Sequence, residues 1–350
     1  MRIAILVLVL VCLLCLGVGM LKAQGTTSGL VYVDYYYNIN GGVSNYPGTS
    51  NQGFQIRRGY FTYNHRISKK FSSRFRLEYD ESATTIDNKI GVFVKDAYLR
   101  WKEIFPGQEL YVGIHRPPSF VVSQDIWGYR SLEKTLMDFR GIATSRDLGV
   151  SLKGKLDEGG VFNYWVMVAN NSGNRSNIFS FGGSAVNVDD QKKHRYYGHL
   201  HFKPKGLFQP NDILHVTIYG DFAPRTFERD NFTFAGFVGY DCPGIFSFGV
   251  EGFRQTRRKQ GLRGADQARY GISGFGWIAV GQQVNLIGRV DFWDPDTKVR
   301  DDENLLLIGG IDWSVEEDVH IIPNVELQTY TAPGVNADVV ARITFFYILR

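Results

Sequence analysis

The sequence predicts an all-β chain that forms a transmembrane antiparallel β-barrel of about 16 strands, with a long third loop folded into its interior. Three observations carry that prediction. The first is alternation. In "FSSRFRLEYD", Phe71, Ser73, Phe75, Leu77 and Tyr79 are apolar or small, while Ser72, Arg74, Arg76, Glu78 and Asp80 between them are polar or charged. A two-residue period gives a strand one oily and one charged face. The second is length: many such runs are near ten residues, the span of a tilted strand through a bilayer and more than a usual globular strand. The third is the sorting of the links, short and long in turn, as in membrane barrels.

The element order follows from these patterns. Strands are expected at 29–38, 53–66, 71–80, 91–103, 108–116, 146–156, 161–170, 195–203, 213–222, 231–240, 245–256, 268–280, 284–294, 304–313, 319–330 and 338–349. In "DLGVSLKGKL", Leu148, Val150, Leu152 and Leu156 oppose Asp147, Ser151, Lys153 and Lys155. In "RYYGHLHFK", Tyr196, Leu200 and Phe202 oppose Arg195, His199, His201 and Lys203. In "DVVARITFFYI", Val339, Ala341, Ile343, Phe345 and Tyr347 oppose Asp338, Arg342 and Thr344.

Short links read "SKK", "FPGQ", "DEGG", "DCPG", "GQQ" and "SVEED"; the long ones are 39–52, 81–90, 117–145, 171–194, 257–267 and 295–303. Two links blur the rule, since 204–212 is long for its place and "APGVNA" is short. A soluble sandwich has no reason to sort its loops, so the oily face is expected to meet lipid. The longest link, 117–145, contains "SLEKTLMDF", where Ser131 is placed to cap a short helix and Lys134 and Asp138 to pair at i,i+4. A loop beyond about fifteen residues usually has a function. In a barrel this wide, it would narrow an aqueous channel.

Composition agrees. Of 350 residues, 14% are aromatic, and 39 Gly stand against 11 Pro, as expected of β structure. "MRIAILVLVLVCLLCLGVGMLKAQ" has the outline of a cleaved signal peptide over 1–24, with an uncut anchor as its competitor, leaving 25–350 as the barrel. Without Arg2 and Lys22, the 39 Lys and Arg become 37 against 35 acids, a balance that gives no support for a nucleic-acid partner. Cys12 and Cys15 leave too, so Cys242 has no partner for an intrachain disulfide. After residue 24, no run approaches the roughly 20 apolar residues of a membrane helix.

"GFQIRRGYFTYNHRISKKFSSRFRLEYD", "VKDAYLRW", "LYVGIHRPPSF" and "SRDLGVSLKGKL", in that order over 53–170, resemble the phosphate-selective porin family of Gram-negative outer membranes. "DWSVEEDVHIIPNVELQTY" is similar to that family's penultimate hairpin. The resemblance implies a sixteen-stranded, often trimeric barrel whose third loop folds into the pore. Two features depart from it: such barrels usually end on an aromatic residue, whereas this chain ends "FFYILR", and Pro323 falls inside a strand.

The chemistry to expect is that of a wet, charged lining. Inward bases are Arg74, Arg76, Lys153, Lys155, Arg195, Lys203, Arg269, Arg289 and Arg342, with Arg130, Lys134 and Arg140 on the long loop as constriction residues. Inward acids are Glu78, Asp80, Asp147, Asp291, Asp312 and Glu326, so the lining is mixed and a general-diffusion lumen stands beside an anion-preferring one. His199 and His201, with His194 and His215 nearby, have the i,i+2 spacing of a zinc chelate, but no carboxylate or thiolate pattern accompanies them and they read as polar wall. "GISGFG" lacks the following helix and acidic partner of a dinucleotide motif. The basic run "RQTRRKQGLR", Arg254 to Arg263, reads as a solvated loop with lipopolysaccharide as its alternative partner.

The expectation is an outer-membrane porin for small hydrophilic solutes and ions, without catalytic residues, cofactor or metal. Its partners would be outer-membrane lipid, its solutes or anions, and two further copies of itself. A barrel enzyme or a non-conducting binding barrel is the alternative. No Ser-His-acid motif supports the former, and no 40–50-residue repeat supports a soluble propeller.

Overall fold

The structure is a computed structural model that describes residues 25–41, 51–80, 89–174, 194–225 and 228–350. The expected signal peptide lies outside them, as does most of the links expected at 39–52, 81–90 and 171–194. The described residues hold sixteen strands: Gly25–Asn40 (β1), Gln52–Arg66 (β2), Phe71–Asp80 (β3), Phe93–Lys102 (β4), Gln108–His115 (β5), Asp147–Lys155 (β6), Phe162–Ala169 (β7), Arg195–Phe202 (β8), Ile213–Ala223 (β9), Asn231–Cys242 (β10), Phe246–Arg257 (β11), Gln267–Ala279 (β12), Val284–Asp294 (β13), Asn304–Glu316 (β14), Val319–Tyr330 (β15) and Asp338–Leu349 (β16). Four coincide with the expected bounds: 71–80, 284–294, 319–330 and 338–349.

Each strand pairs antiparallel with its neighbours in sequence, and β1 pairs with β16 from Gly29–Leu349 to Asn40–Val339, closing the barrel. Closure leaves no strand edge to be satisfied by water, which is what lets a sheet cross lipid. Pro323 does sit inside β15, opposite Ile343. On its other side the ladder passes from Gly310–Asn324 to Trp313–Ile321, omitting the residue that has no N–H to give.

The alternation resolves as expected. Phe75 is 44% exposed while Glu78, on the opposite face of the same strand, is 0% exposed. Val150, Ile218, Ile272 and Val290 likewise point outward, and Ser151, Thr217, Ser273 and Asp291 inward. Tyr63, Trp101, Phe105, Phe162, Phe248 and Trp313 are exposed around the short-turn rim. Such an aromatic girdle marks where a barrel meets the membrane interface.

Two expectations for 117–145 need correction. Helix α1 spans Val121–Trp127, where a loop was expected, and Gly128 (φ 69°) ends it. The helix expected after Ser131 is one turn, α2, Leu136–Phe139, with Thr135 at its N-cap position. Asp138 pairs with Arg130 rather than Lys134. Tertiary packing overrides the local signals, because Trp127, Leu132 and Leu136 are all 0% exposed. Trp127 and Leu132 lie in an apolar cluster with Phe237, Phe275, Ile287, Leu306, Ile308 and Ile322 of the inner wall. Full burial of each such side chain contributes roughly 1.5–3 kcal/mol. Gly271 permits the approach: a Cβ there would stand 2.9 Å from Leu136 Cδ2.

The link 203–212, long for the short-turn end, is held by one carboxylate. Asp212 accepts from the amides of Leu207 and Phe208 at 2.8 Å and Gln209 at 2.7 Å, and from the Tyr240 hydroxyl. Burial alone would raise its pKa, but these donors outweigh burial and hold it at about 2. A depressed carboxylate stabilises the fold above its ordinary pKa, and that contribution disappears as pH falls through the folded value. Between about pH 4 and pH 2 the thermal midpoint of the barrel is therefore expected to fall. Asp212→Asn should lower the midpoint at neutral pH and flatten its acid limb, as read by heat-dependent gel migration.

Candidate pore and its charged wall

Two irregularities in the sheet place charges that strict alternation hides. Between β1 and β2 the register steps from Tyr32–Arg58 to Val33–Ile56, leaving Arg57 as an extra residue. Between β3 and β4 it steps from Arg76–Asp96 to Leu77–Val94, leaving Lys95 extra. A bulge of this kind turns two successive side chains to one face. Arg57 with Arg58, and Lys95 with Asp96, consequently all reach ion pairs on the inner wall.

On this side cations share carboxylates. Glu78 takes Lys95 at 2.5 Å and Arg58 at 3.5 Å; Asp96 takes Arg76 at 3.6 Å and also Arg146. Two more bases form no ion pair among the described residues. Arg74 donates from Nε to Asn64 Oδ1 at 2.7 Å, and Lys153 lies 4.7 Å from the centroids of both Tyr111 and Trp165. Glu109 is taken by Arg100 and Asp34 by Arg57, so the described cations of β2–β6 outnumber the carboxylates beside them.

The rest of the wall is different. Arg195 pairs with Asp221 at 2.7 Å, Arg289 pairs with Asp291 at 2.5 Å, and Arg342 pairs with Glu326. The first two also hold the segment 117–145: Arg289 donates to the Lys134 carbonyl at 2.5 Å, and Arg195 to the Ile142 carbonyl at 3.4 Å. Glu251 accepts from the Leu136 amide at 2.7 Å, and Asp312 from the Tyr129 hydroxyl at 3.0 Å. Arg57 reaches from β2 to the Leu132 carbonyl at 2.6 Å. The segment is thereby tied to the inward faces of strands on both sides of the barrel.

The remaining expected bases are spread out. Arg269 at the long-loop end donates to Gln255 and lies 5.7 Å from the Trp293 centroid. Lys155 is exposed at the end of β6 and Lys203 lies just past β8, both at the short-turn rim. In the long loop, Arg140 donates to Asn304 Oδ1 at 2.6 Å, and Arg130 bonds Gln124 Oε1 at 3.1 Å besides Asp138. The Lys134 amide donates to Glu133 Oε1 at 2.7 Å. Of the expected acids, Asp147 is 0% exposed and anchors the base of the β7–β8 link through the Asn171 and Ser172 amides. The basic run is partly strand: β11 continues to Arg257, and Arg258 and Lys259 pair with Asp230 and Glu228.

His115 Nε2 lies 2.7 Å from Ser151 Oγ, but both residues are buried beneath other side chains, which closes the pair to a substrate. Among the described residues no group of three or more His, Cys, Asp or Glu is placed to hold a metal ion.

No protein-family model matches the sequence, and no curated protein matches it. Solved structures do match in fold. The chain is similar to Salmonella typhi OmpF in complex with daunomycin (TM-score 0.61, 10% identity, 93% of this chain and 97% of that one). It is similar to the outer membrane channel DcaP of Acinetobacter baumannii (TM-score 0.63, 10% identity, 94% and 98%). It is also similar to a mutant porin of Rh. blastica (TM-score 0.54, 12% identity, 93% and 100%). The chain therefore has the fold of sixteen-stranded outer-membrane porins.

Proposed function

We propose that this protein is an outer-membrane porin, passing small hydrophilic solutes and ions passively and preferring anions. Export through a cleaved leader over 1–24 and assembly as a homotrimer belong to the same reading, as does the absence of catalysis. The segment 117–145, tied across the interior, is the proposed constriction, and β2–β6 supply its basic wall. The observation that carries the anion preference is the shortage of carboxylates there: Glu78 and Asp96 are each shared by two cations, while Arg74 and Lys153 have no ion pair among the described residues. A surplus of fixed positive charge in a narrow, low-dielectric cleft concentrates mobile anions. Guanidinium forks suit phosphate oxygens in particular, which makes phosphate one solute to test.

Purified protein in a planar bilayer is expected to conduct, with a reversal potential of anion-permeable sign under a salt gradient. A reversal potential of cation-permeable sign would overturn the preference, and a tight barrel that carries no current would overturn the porin reading.

A further inference from the structure

The inner wall near the short-turn rim carries histidines that the proposed anion path does not use. Alternation sets His199 and His201 on the inward face of β8, and β9 brings His215 beside them. The register pairs His201 with Thr217, so His215, two residues earlier in β9, lies diagonally across from it. His201 Nε2 and His215 Nδ1 are 3.1 Å apart, and the rings overlap at 24° with centroids 5.2 Å apart. Both rings are half-buried on the inward face, whereas His199 is buried, its ring centroid 6.0 Å from that of His201. The i,i+2 pair that the sequence offered is thus the weaker one, and the cross-strand pair is the closer.

Two imidazole nitrogens on one tetrahedral ion with bonds of about 2.0–2.1 Å stand about 3.3 Å apart, and cis nitrogens on a square plane stand about 2.9 Å apart. The observed separation falls between these. We propose that His201 and His215 form a two-imidazole site for a divalent transition-metal ion, cupric or zinc, with water completing the coordination. In the empty site one ring donates to the other. On metal binding the donor ring moves its proton to its far nitrogen and the acceptor ring keeps its own there, so both inner nitrogens coordinate as neutral imidazoles, no net proton is lost, and the hydrogen bond is exchanged for two metal–nitrogen bonds. Lys203 is the charge acting on both rings, and its repulsion opposes a dication. The site is therefore a weak, exchangeable one rather than a structural centre.

Untagged, detergent-solubilised barrel titrated with cupric chloride alone tests this by calorimetry and electron paramagnetic resonance. Neither method requires the barrel to conduct, so failure here is separable from failure of the porin reading. The wild type is expected to bind one cupric ion with two-nitrogen coupling. His201→Ala or His215→Ala should each weaken binding by at least about tenfold, Lys203→Gln should tighten it, and His199→Ala should change it little. Heat-resistant gel migration confirms that each variant is folded. Equal affinity in the wild type and both ligand variants, or a spectrum without nitrogen coupling, would overturn the site.

Discussion

Replacing Arg289 with methionine is expected to destabilise the barrel by about 3–5 kcal/mol, the usual cost of stranding one partner of a buried ion pair. Arg289 and Asp291 side chains are both 0% exposed, joined at 2.5 and 2.8 Å. The same guanidinium donates to the Lys134 carbonyl and lies 5.4 Å from the Trp127 centroid, so its loss also frees the segment 117–145 from the wall of β13. Two readouts follow: an earlier unfolding midpoint in denaturant, and a noisier, larger single-channel current. Asp291→Leu added to Arg289→Met removes the stranded carboxylate and should restore much of the stability without restoring the current. If the single and double variants unfold alike, the pair does not act as described.

The second large effect is on selectivity. Arg74→Glu together with Lys153→Glu is expected to reverse the sign of the reversal potential, with the anion-to-cation permeability ratio falling on the order of tenfold. Neither base has an ion-pair partner among the described residues, and Glu109, opposite Lys153 in the register, keeps its pair with Arg100, so no carboxylate is stranded and the fold should survive. The effect should shrink as salt rises towards 1 M, where screening acts within about 3 Å. The same double reversal at Arg195 and Arg342 should instead impair folding, because both are paired with acids of the wall. A permeability ratio unchanged by Arg74→Glu with Lys153→Glu would place the selective charges elsewhere.

Much of this molecule was legible in its residues. The strands were readable because a barrel wall with one outward and one inward face imposes a two-residue period, as in Phe71–Asp80. The sorted links gave the topology, and the same alternation is what offers Arg74, Arg76 and Lys153 as inward residues. Arg57, Arg58 and Lys95 were missed because a bulge breaks the period locally, and no residue type marks these bulges. Asp138 was assigned to Lys134 on helical spacing, yet it pairs with Arg130 because burying Leu132 and Leu136 against the far wall fixes the path of the chain. That is also why Arg195 and Arg289, expected simply to line the interior, hold the segment 117–145 in place.

The sequence by itself determined the barrel, its roughly sixteen strands and which face turns outward, since these depend on local alternation repeated along the chain. Only the tertiary structure decided which inward charges neutralise one another, where a carboxylate is shared, and that His201 meets His215. Those outcomes depend on register and bulges between strands, which set distances that residue spacing does not contain.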